Sequence, residues 1–517
     1  MTWEPELEEL RRREELARRM GGEKKIRRQH ENGRLTVRER IDALLDAGSF
    51  HEIGAIAGAG VYGDDGALVD FTPANFVGGT GRIDGRKVVV GGDDFTVRGG
   101  ASDAAIAAKQ VHFEKLANGL RLPLVRLIEG TGGGGSVRSL DEIGATYVPV
   151  NPGWDVIVDN LSVVPVVAAG LGPVAGLGAG RLAAAHFAVM VRGISQLFVA
   201  GPPVVRFGTG EAVTKEELGG AHVHEASGAV DLWVDSEQQA LAAIRRFLAY
   251  LPSSAYELPP VYACDDPVDR REQGLLDAVP RDRRKPFDVR AVMEAIFDRA
   301  SVFEHCRYGG ATVCALATLD GHPVGVIGGD PRAGGGGLTA AGSEAMIRLV
   351  DLCTTFNLPL VVLTDQPGIA IGLEAERTGT IRLATRATAA VYQATVPAAE
   401  VVLRRVFGVG GAAMTNRHGY AARWAWPSGD WGSLPVEGGI EAAYRAQLEA
   451  SEDPDALREE IRSKLEGIRS PFRTAERFGI EEIVDPRDTR PLLCEWVHDA
   501  YRVLPEHLGR PSFGTRP

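Results

Sequence analysis

Two runs of branched apolar residues set the pattern of this chain. One is Leu122-Pro123-Leu124-Val125-Arg126-Leu127-Ile128-Glu129-Gly130-Thr131-Gly132. The other is Leu358-Pro359-Leu360-Val361-Val362-Leu363-Thr364-Asp365-Gln366-Pro367-Gly368. Each has the near-continuous hydrophobicity of a strand buried on both faces, and each closes on an acid and a glycine turn. They are one stretch written twice: 122 answers 358 and 129 answers 365, an offset of 236. Asp84-Gly85 and Asp320-Gly321 share it, each ahead of a valine-rich strand. Downstream, Val164-Pro165 answers Val396-Pro397 and Gly176-Leu177-Gly178 answers Gly408-Val409-Gly410, at 232, so a few residues were lost between. A repeat of this length predicts a duplicated domain rather than a short-period solenoid.

The rest of the pattern fills in around these runs. Glu4 to Gln29 reads as a charged helix, and a second helix starts near Leu35 and ends near Gly48, with Thr36 and Glu39 spaced as a capping box. Val88-Val89-Val90 is a buried strand, Asp94 to Gly100 a turn, and Ala101 to Leu120 an alanine-rich helix carrying Lys109. Val163 to Ala169 is a further buried strand, running into the glycine-rich stretch Gly170 to Gly180. Glu452 to Arg469 is a charged amphipathic helix. Strands alternate with helices, so the class is α/β. Pro252, Pro259, Pro260, Pro267, Pro280 and Pro286 lie among many charges and mark a linker, with a short helix around Asp288 to Arg299 opening the second domain. The expected division is a first domain over 1–250, a linker over 251–290, and a second domain over 291–517.

Composition narrows the function class. With 44% hydrophobic and 24% charged residues the chain is an ordinary soluble one, and its net charge of −12 argues against nucleic acid or an anionic membrane as partner. The five cysteines are scattered without a Cys-x-x-Cys, which predicts neither a zinc knuckle nor a disulfide framework and suits a reducing, cytoplasmic location. No apolar leader opens the chain, and no apolar run is long enough to cross a membrane.

Candidate chemistry concentrates in the glycines. Gly408-Val409-Gly410-Gly411-Ala412-Ala413 and Gly170-Leu171-Gly172-Pro173-Val174-Ala175 both fit the dinucleotide pattern, the first with Asp430 at about the ribose distance. Neither run opens its domain as that fingerprint should, and close helix–strand packing explains isolated glycines as well. His222 and His224 lack the Cys, Glu or Asp cluster of a metal site, so no metal is expected. No Gly-x-Ser-x-Gly elbow occurs. What remains is a pair of glycine turns at strand ends leading into helix N-termini, where N–H donors can meet a developing oxyanion. Thioester enolate chemistry needs that and little else, provided the substrate brings its own base.

At this point the residues carry a family. Gly22 to His30, Leu35 to Phe50, Asp94-Phe95-Thr96-Val97, Phe198-Val199-Ala200-Gly201-Pro202, Val213 to Ala221, Phe356 to Leu360 and Ala394 to Pro397 resemble the carboxyltransferase (β) subunits of biotin-dependent acyl-CoA carboxylases. The resemblance runs from about Glu8 to Leu493. It implies two tandem crotonase-like domains, acyl-CoA held mainly by the N-terminal one, carboxybiotin held mainly by the C-terminal one of a neighbouring subunit, and a homo-hexamer built as a dimer of trimers. It also implies that carboxybiotin releases CO2 in a closed site, that the ureido nitrogen takes the α-proton, and that the enolate attacks CO2. No Met-Lys-Met occurs and no glycine-rich ATP module is evident. Biotin would therefore come on a partner, a biotin carboxylase/biotin carboxyl carrier subunit.

Carried over by position, the resemblance puts the acyl-CoA oxyanion donors on Gly132 and Gly133 and the ureido donors on Val409 and Gly410. It places Gly99, Gly100, Gly176, Gly178, Gly411 and Ala412 at the substrate, Gly368, Ile369 and Gly408 at biotin, and Lys109 at coenzyme A phosphate, with a solvated helix charge as the plain alternative for Lys109. The small pair Gly411-Ala412, where the family carries Tyr-Asp, predicts room for an acyl group larger than acetyl unless Ile369 or Ile371 fills it. The family's arginine in the first turn is Gly134 here, and its Arg-Lys at the second-domain helix is Glu344-Ala345, so the chain resembles a divergent member. A malonyl-type decarboxylase of the same fold and a non-catalytic subunit paired with an active paralogue are the competing expectations.

Overall fold

The structure is a computed structural model and describes residues 2–101, 105–130, 132, 141, 144–146, 148–416 and 419–512. The chain divides into two units, one up to Tyr256 and one from Glu257 onward.

The first unit begins with two helices where one was expected, Glu4–Arg18 and Glu23–Glu31. The break falls at Gly21-Gly22, because a Cβ on Gly21 would lie 2.0 Å from the Thr96 carbonyl oxygen. The third helix, Val37–Leu44, starts at the expected box: the Glu39 N–H donates to Thr36 Oγ1 at 3.3 Å and the Thr36 N–H to Glu39 Oε2 at 2.7 Å. Its buried stripe is Val37, Arg40, Ile41 and Leu44, so one arginine points inward with three aliphatics. The alanine-rich helix runs Ala107–Leu120, shorter than the pattern suggested, after the turn at Arg98–Gly100.

The first unit has ten strands among the described residues: β1 (His51–Glu52), β2 (Gly58–Tyr62), β3 (Leu68–Pro73), β4 (Phe76–Ile83), β5 (Arg86–Asp93), β6 (Leu124–Gly130), β7 (Val166–Ala175), β8 (Phe187–Val191), β9 (Gln196–Phe198) and β10 (Leu232–Val234). The main sheet has the order β1-β4-β5-β6-β7-β8-β10, with β9 beside the far end of β7, and β2-β3 form a separate hairpin. The β4–β5 pair is antiparallel, and from β5 onward the strands are parallel. Val88, Val89 and Val90 are fully buried, each worth about 1.5–3 kcal/mol.

The second unit repeats the plan with β11 (Phe303–His305), β12 (Thr312–Leu319), β13 (His322–Gly329), β14 (Leu360–Gln366), β15 (Ala398–Phe407), β16 (Ala421–Ala425), β17 (Asp430–Gly432) and β18 (Glu482–Ile483). Its order is β11-β12-β13-β14-β15-β16-β18, with β17 beside β15. The register copies the sequence offsets. Leu124 faces Val89 and Val166, and Leu360 faces Gly325 and Ala398. Of the segment expected as a linker, Leu275 and Phe287 are buried in the core of the second unit, and the helix expected after it is Val289–Ile296.

Both units carry the same irregularity. Ile128 faces Gly170 but Gly130 faces Val174; Thr364 faces Val402 but Gln366 faces Val406. The extra residues bulge beside the acids Glu129 and Asp365, both fully buried. In the second unit the bulge itself supplies the counter-charges: Arg404 and Arg405 each reach Asp365 Oδ2, at 2.8 and 2.7 Å. In the first unit the bulge supplies Gly172, where a Cβ would lie 2.3 Å from Glu129 Oε1, and the cations come from the N-terminal segment. The duplicated acids are structural anchors for the turns next to them.

Candidate active site

Three backbone segments meet at the carboxyl ends of β5, β6 and β7, where ligands bind in open parallel sheets. They are Arg98–Gly100, the end of β6 at Gly130 with Gly132, and Gly176 leading into the helix Leu177–Ala183. Ala101 bridges Gly132 in parallel. A Cβ on Gly100 would lie 2.5 Å from the Glu129 carbonyl oxygen, and one on Gly132, at φ +67°, 2.9 Å from the Ala175 carbonyl oxygen. The three backbones therefore touch, and a side chain at either glycine would part them.

The second unit builds the same junction from Gly334–Gly336, Gln366 to Ile369, and the short helix Gly408–Ala412. Leu338 bridges Ile369 as Ala101 bridges Gly132, both at an offset of 237 (101 to 338, 132 to 369). A Cβ on Gly410 would lie 2.8 Å from the Ile369 nitrogen. The first N–H groups of a helix have no acceptor four residues back within it; in the first short helix the Ala179 N–H turns back to the Gly176 carbonyl oxygen at 3.0 Å.

Most of the expected residues come together at these junctions. Gly99, Gly100, Gly132, Gly176 and Gly178 surround the first, while Gly133 lies outside the described residues. Gly368, Ile369, Gly408, Val409 and Gly410 form the second. The Gly368 N–H is already given to Gln366 Oε1 at 2.9 Å, so that glycine serves the turn's shape. Val409 is 70% exposed and Gly410 is buried. Gly411 offers no room for a larger acyl group: a Cβ there would meet Val406 Cγ1 at 2.8 Å. Ala412 is exposed and Ile371 is 94% exposed, so neither fills a pocket in this chain.

Lys109 is on the helix whose Ala107, Gln110 and Val111 line the cavity beside the first junction. Its chain runs beside Gly54, where a Cβ would be 3.5 Å from Lys109 Cε. Burial pushes its ammonium down, opposed by the charge of Glu52. The Gly170–Ala175 dinucleotide pattern lies wholly inside β7 and makes no strand-to-helix turn. Asp430 is taken by Arg469, whose Nε and Nη2 donate at 2.7 and 2.6 Å. His224 is 2.7 Å from the Leu197 carbonyl oxygen, which occupies that ring in the fold.

Beside the first junction is a cavity of about 350 Å³. Ala105, Val111, Ile157 and Leu177 form apolar walls; Asp93, Gln110, Glu114 and Arg181 supply the polar side. Burial pushes the Glu114 carboxyl up, but the charge and hydrogen bonds of Arg126 outweigh it and hold it below the usual range. Burial pushes the Asp93 carboxyl up, and the more distant Arg181 does not compensate. On the other side of the Arg98–Gly100 turn, a cavity of about 460 Å³ is lined by Lys25, Arg28, Arg98 and Lys215 with Gly99 and Pro173.

Leu177 and Arg181 escaped the sequence reading. The signal for Leu177 was present, since 177 answers 409 at the offset of 232; Arg181 comes one helical turn later.

The carboxyl transferase domain family matches residues 28–501. The propionyl-CoA carboxylase carboxyltransferase subunit of Haloferax mediterranei is 34% identical over 497 residues, 95% of each chain. The methylmalonyl-CoA carboxyltransferase 12S subunit of Propionibacterium freudenreichii subsp. shermanii is 33% identical over 496 residues, 95% of this chain and 93% of its own. The structure of transcarboxylase 12S with methylmalonyl-coenzyme A and methylmalonic acid bound matches at a TM-score of 0.87 and 31% identity, covering 100% of this chain and 98% of that one. The two similar sheets are the crotonase-like fold of these neighbours. Sequence and architecture agree, and the chain belongs to the carboxyl transferase domain family.

Proposed function

We propose that this chain is the carboxyltransferase subunit of an acyl-CoA carboxylase. It transfers a carboxyl group from carboxybiotin on a partner protein to the α-carbon of an acyl-CoA. The observation that carries this is the twinned junction: Ala101 against Gly132 and Leu338 against Ile369, at the carboxyl ends of matching strands. Two reactants that each develop charge on a carbonyl oxygen need two such donor sets.

In the first unit the N–H groups around Gly132 and of Leu177 and Gly178 would hold the thioester oxygen as it gains charge. Gly133 keeps its expected role as a donor there. The cavity walls take the acyl chain, and the cations Lys25, Arg28 and Lys215 suit the phosphates of coenzyme A better than Lys109 does. In the second unit Gly410 packs its backbone on that of Gly368 and Ile369, which fits a flat ureido group that accepts from N–H. Bound there, carboxybiotin supplies the carboxyl group. Ile369, Val409 and Gly410 would orient its ureido oxygen and hold charge on it. The related 12S protein is described as a hexamer assembly, and a hexamer, built as a dimer of trimers, is proposed here, with a biotin carboxylase/carrier subunit as partner.

Reconstitution tests this. ATP- and bicarbonate-dependent carboxylation of an acyl-CoA panel, with a biotinylated carrier, is the expected result. Partner-free loss of CO2 from malonyl-CoA would make the chain a decarboxylase. No turnover, with tight binding to a paralogue, would make it a structural subunit.

A further inference from the structure

Among the charged side chains described around the cavity, Arg181 is the one held only by long ion pairs, with the Phe76 ring 6.0 Å from its guanidinium. Both oxygens of Glu114 are taken by Arg126, Oε1 by Nε at 2.8 Å and Oε2 by Nη2 at 2.7 Å, and Asn160 adds a third bond at 3.1 Å. Asp93 accepts from the Glu129 N–H at 3.3 Å and from Gln110 Nε2 at 3.4 Å. Arg181 approaches these acids only to 3.7 Å at Asp93 and 4.0 Å at Glu114. Its side chain is 8% exposed, and it lines the cavity. No acceptor among the described residues comes within hydrogen-bond distance of its guanidinium.

A guanidinium carries five N–H donors in a fixed fork. Lining the cavity and held only by long ion pairs, that fork is free to donate to a group that enters the cavity. The group that matches is a carboxylate, which takes two parallel N–H bonds. Position then fixes where the carboxylate sits on the ligand. Arg181 is four residues after Leu177 on one helix, about 6 Å along its axis from the turn proposed to hold the thioester oxygen. Apolar walls at Ala105 and Val111 lie along the cavity with it. The Asp93 carboxyl, pushed up by burial, adds less repulsion than an ordinary aspartate would.

We propose that Arg181 is a specificity-determining residue, and that the cavity takes an acyl-CoA whose chain ends in a second carboxylate, a few carbons beyond the thioester. This rests on the cavity being the acyl site.

Binding of matched five-carbon esters to the intact protein tests it without a biotin partner. Glutaryl-CoA should bind about ten- to a hundredfold more tightly than valeryl-CoA, the range of a charge-assisted hydrogen bond. Arg181→Gln should erase that ratio while leaving valeryl-CoA within about twofold, and Arg181→Lys should keep part of it as a point charge. Equal binding of the two esters by the wild type overturns the proposal, whatever the variants do. So does an equal loss for both esters in Arg181→Gln, or 5-hydroxyvaleryl-CoA matching glutaryl-CoA. If neither ester binds, the acyl-CoA site itself is wrong; if both bind alike, only the role of Arg181 is.

Discussion

Arg40 and Glu129 form a fully buried ion pair, with Arg40 Nη1 donating to Glu129 Oε2 at 2.6 Å. The same guanidinium donates to both oxygens of Glu237, at 2.8 and 2.9 Å, and to the Leu171 carbonyl oxygen at 2.8 Å. Gln29 and Arg34 complete Glu129 at 2.8 and 2.6 Å. One arginine thus ties the third helix to the end of β6, the bulge in β7 and the helix Glu237–Ala249.

Removing that arginine should leave the buried Glu237 without its cation and Glu129 with Arg34 alone. Breaking a buried pair from one side costs about 3–5 kcal/mol, so Arg40→Met should lower the unfolding midpoint of the first unit by roughly 6–20 °C. Arg192→Met, which opens the exposed pair with Asp235, should change it little. Equal midpoints for both variants in a calorimetric scan would remove the anchor.

The twin anchor predicts a pH dependence. Burial pushes the Asp365 carboxyl up, but the hydrogen bonds and charges of Arg405 and Arg404 outweigh it, so the folded value lies below the usual one. An acid depressed by folding stabilises above its unfolded value, near 3.9, and that share is lost as pH falls below it. Asp365→Asn should therefore be less stable at pH 7 and lose less stability between about pH 4 and pH 2. Parallel stability curves for the two proteins would refute the account.

Gly410→Val should stop the chemistry while sparing substrate binding. Its Cβ would press on the Ile369 nitrogen at 2.8 Å and disturb the second junction only. Loss of one oxyanion donor costs about 10²–10³ in rate. Carboxyl transfer should fall by that much with acyl-CoA affinity unchanged, and an unchanged rate would move the donors elsewhere.

Acyl-chain choice should depend on the first-unit cavity rather than on Gly411 and Ala412. Among unsubstituted esters, acyl groups longer than acetyl should be favoured, since each buried methylene contributes about 0.8 kcal/mol. Ala105→Leu, which thickens the wall, should pull kcat/KM back toward acetyl-CoA. A clear acetyl preference in the wild type would mean that the cavity is filled in the working enzyme.

Assembly is the fifth test. A site divided between subunits cannot be completed by a monomer, and the proposal is a hexamer. Light scattering at micromolar concentration should give that mass, and an active monomer would rule out the divided site.

The sequence determined the duplication, the strand runs and the turns, because burial on both faces forces continuous branched residues and close backbone contact forces glycine. The offsets of 236 and 232 return as sheet register without adjustment. It also held the capping box at Thr36, a local device needing only four residues. What it could not give were pairings made across distance. Arg40 sits in the apolar stripe of its helix, but nothing local says that its partners are Glu129 and Glu237, far along the chain. That the Lys109 side chain runs beside Gly54 was likewise not written in its helix. Gly411 looked like spare room in one dimension and is pressed against Val406 in three. Arg181 and Asp93 lie on different elements and become neighbours only when β5 and the helix after β7 close on one cavity. Local periodicity writes elements and turns; which charges meet inside is decided by the packing of those elements, and that information is not local.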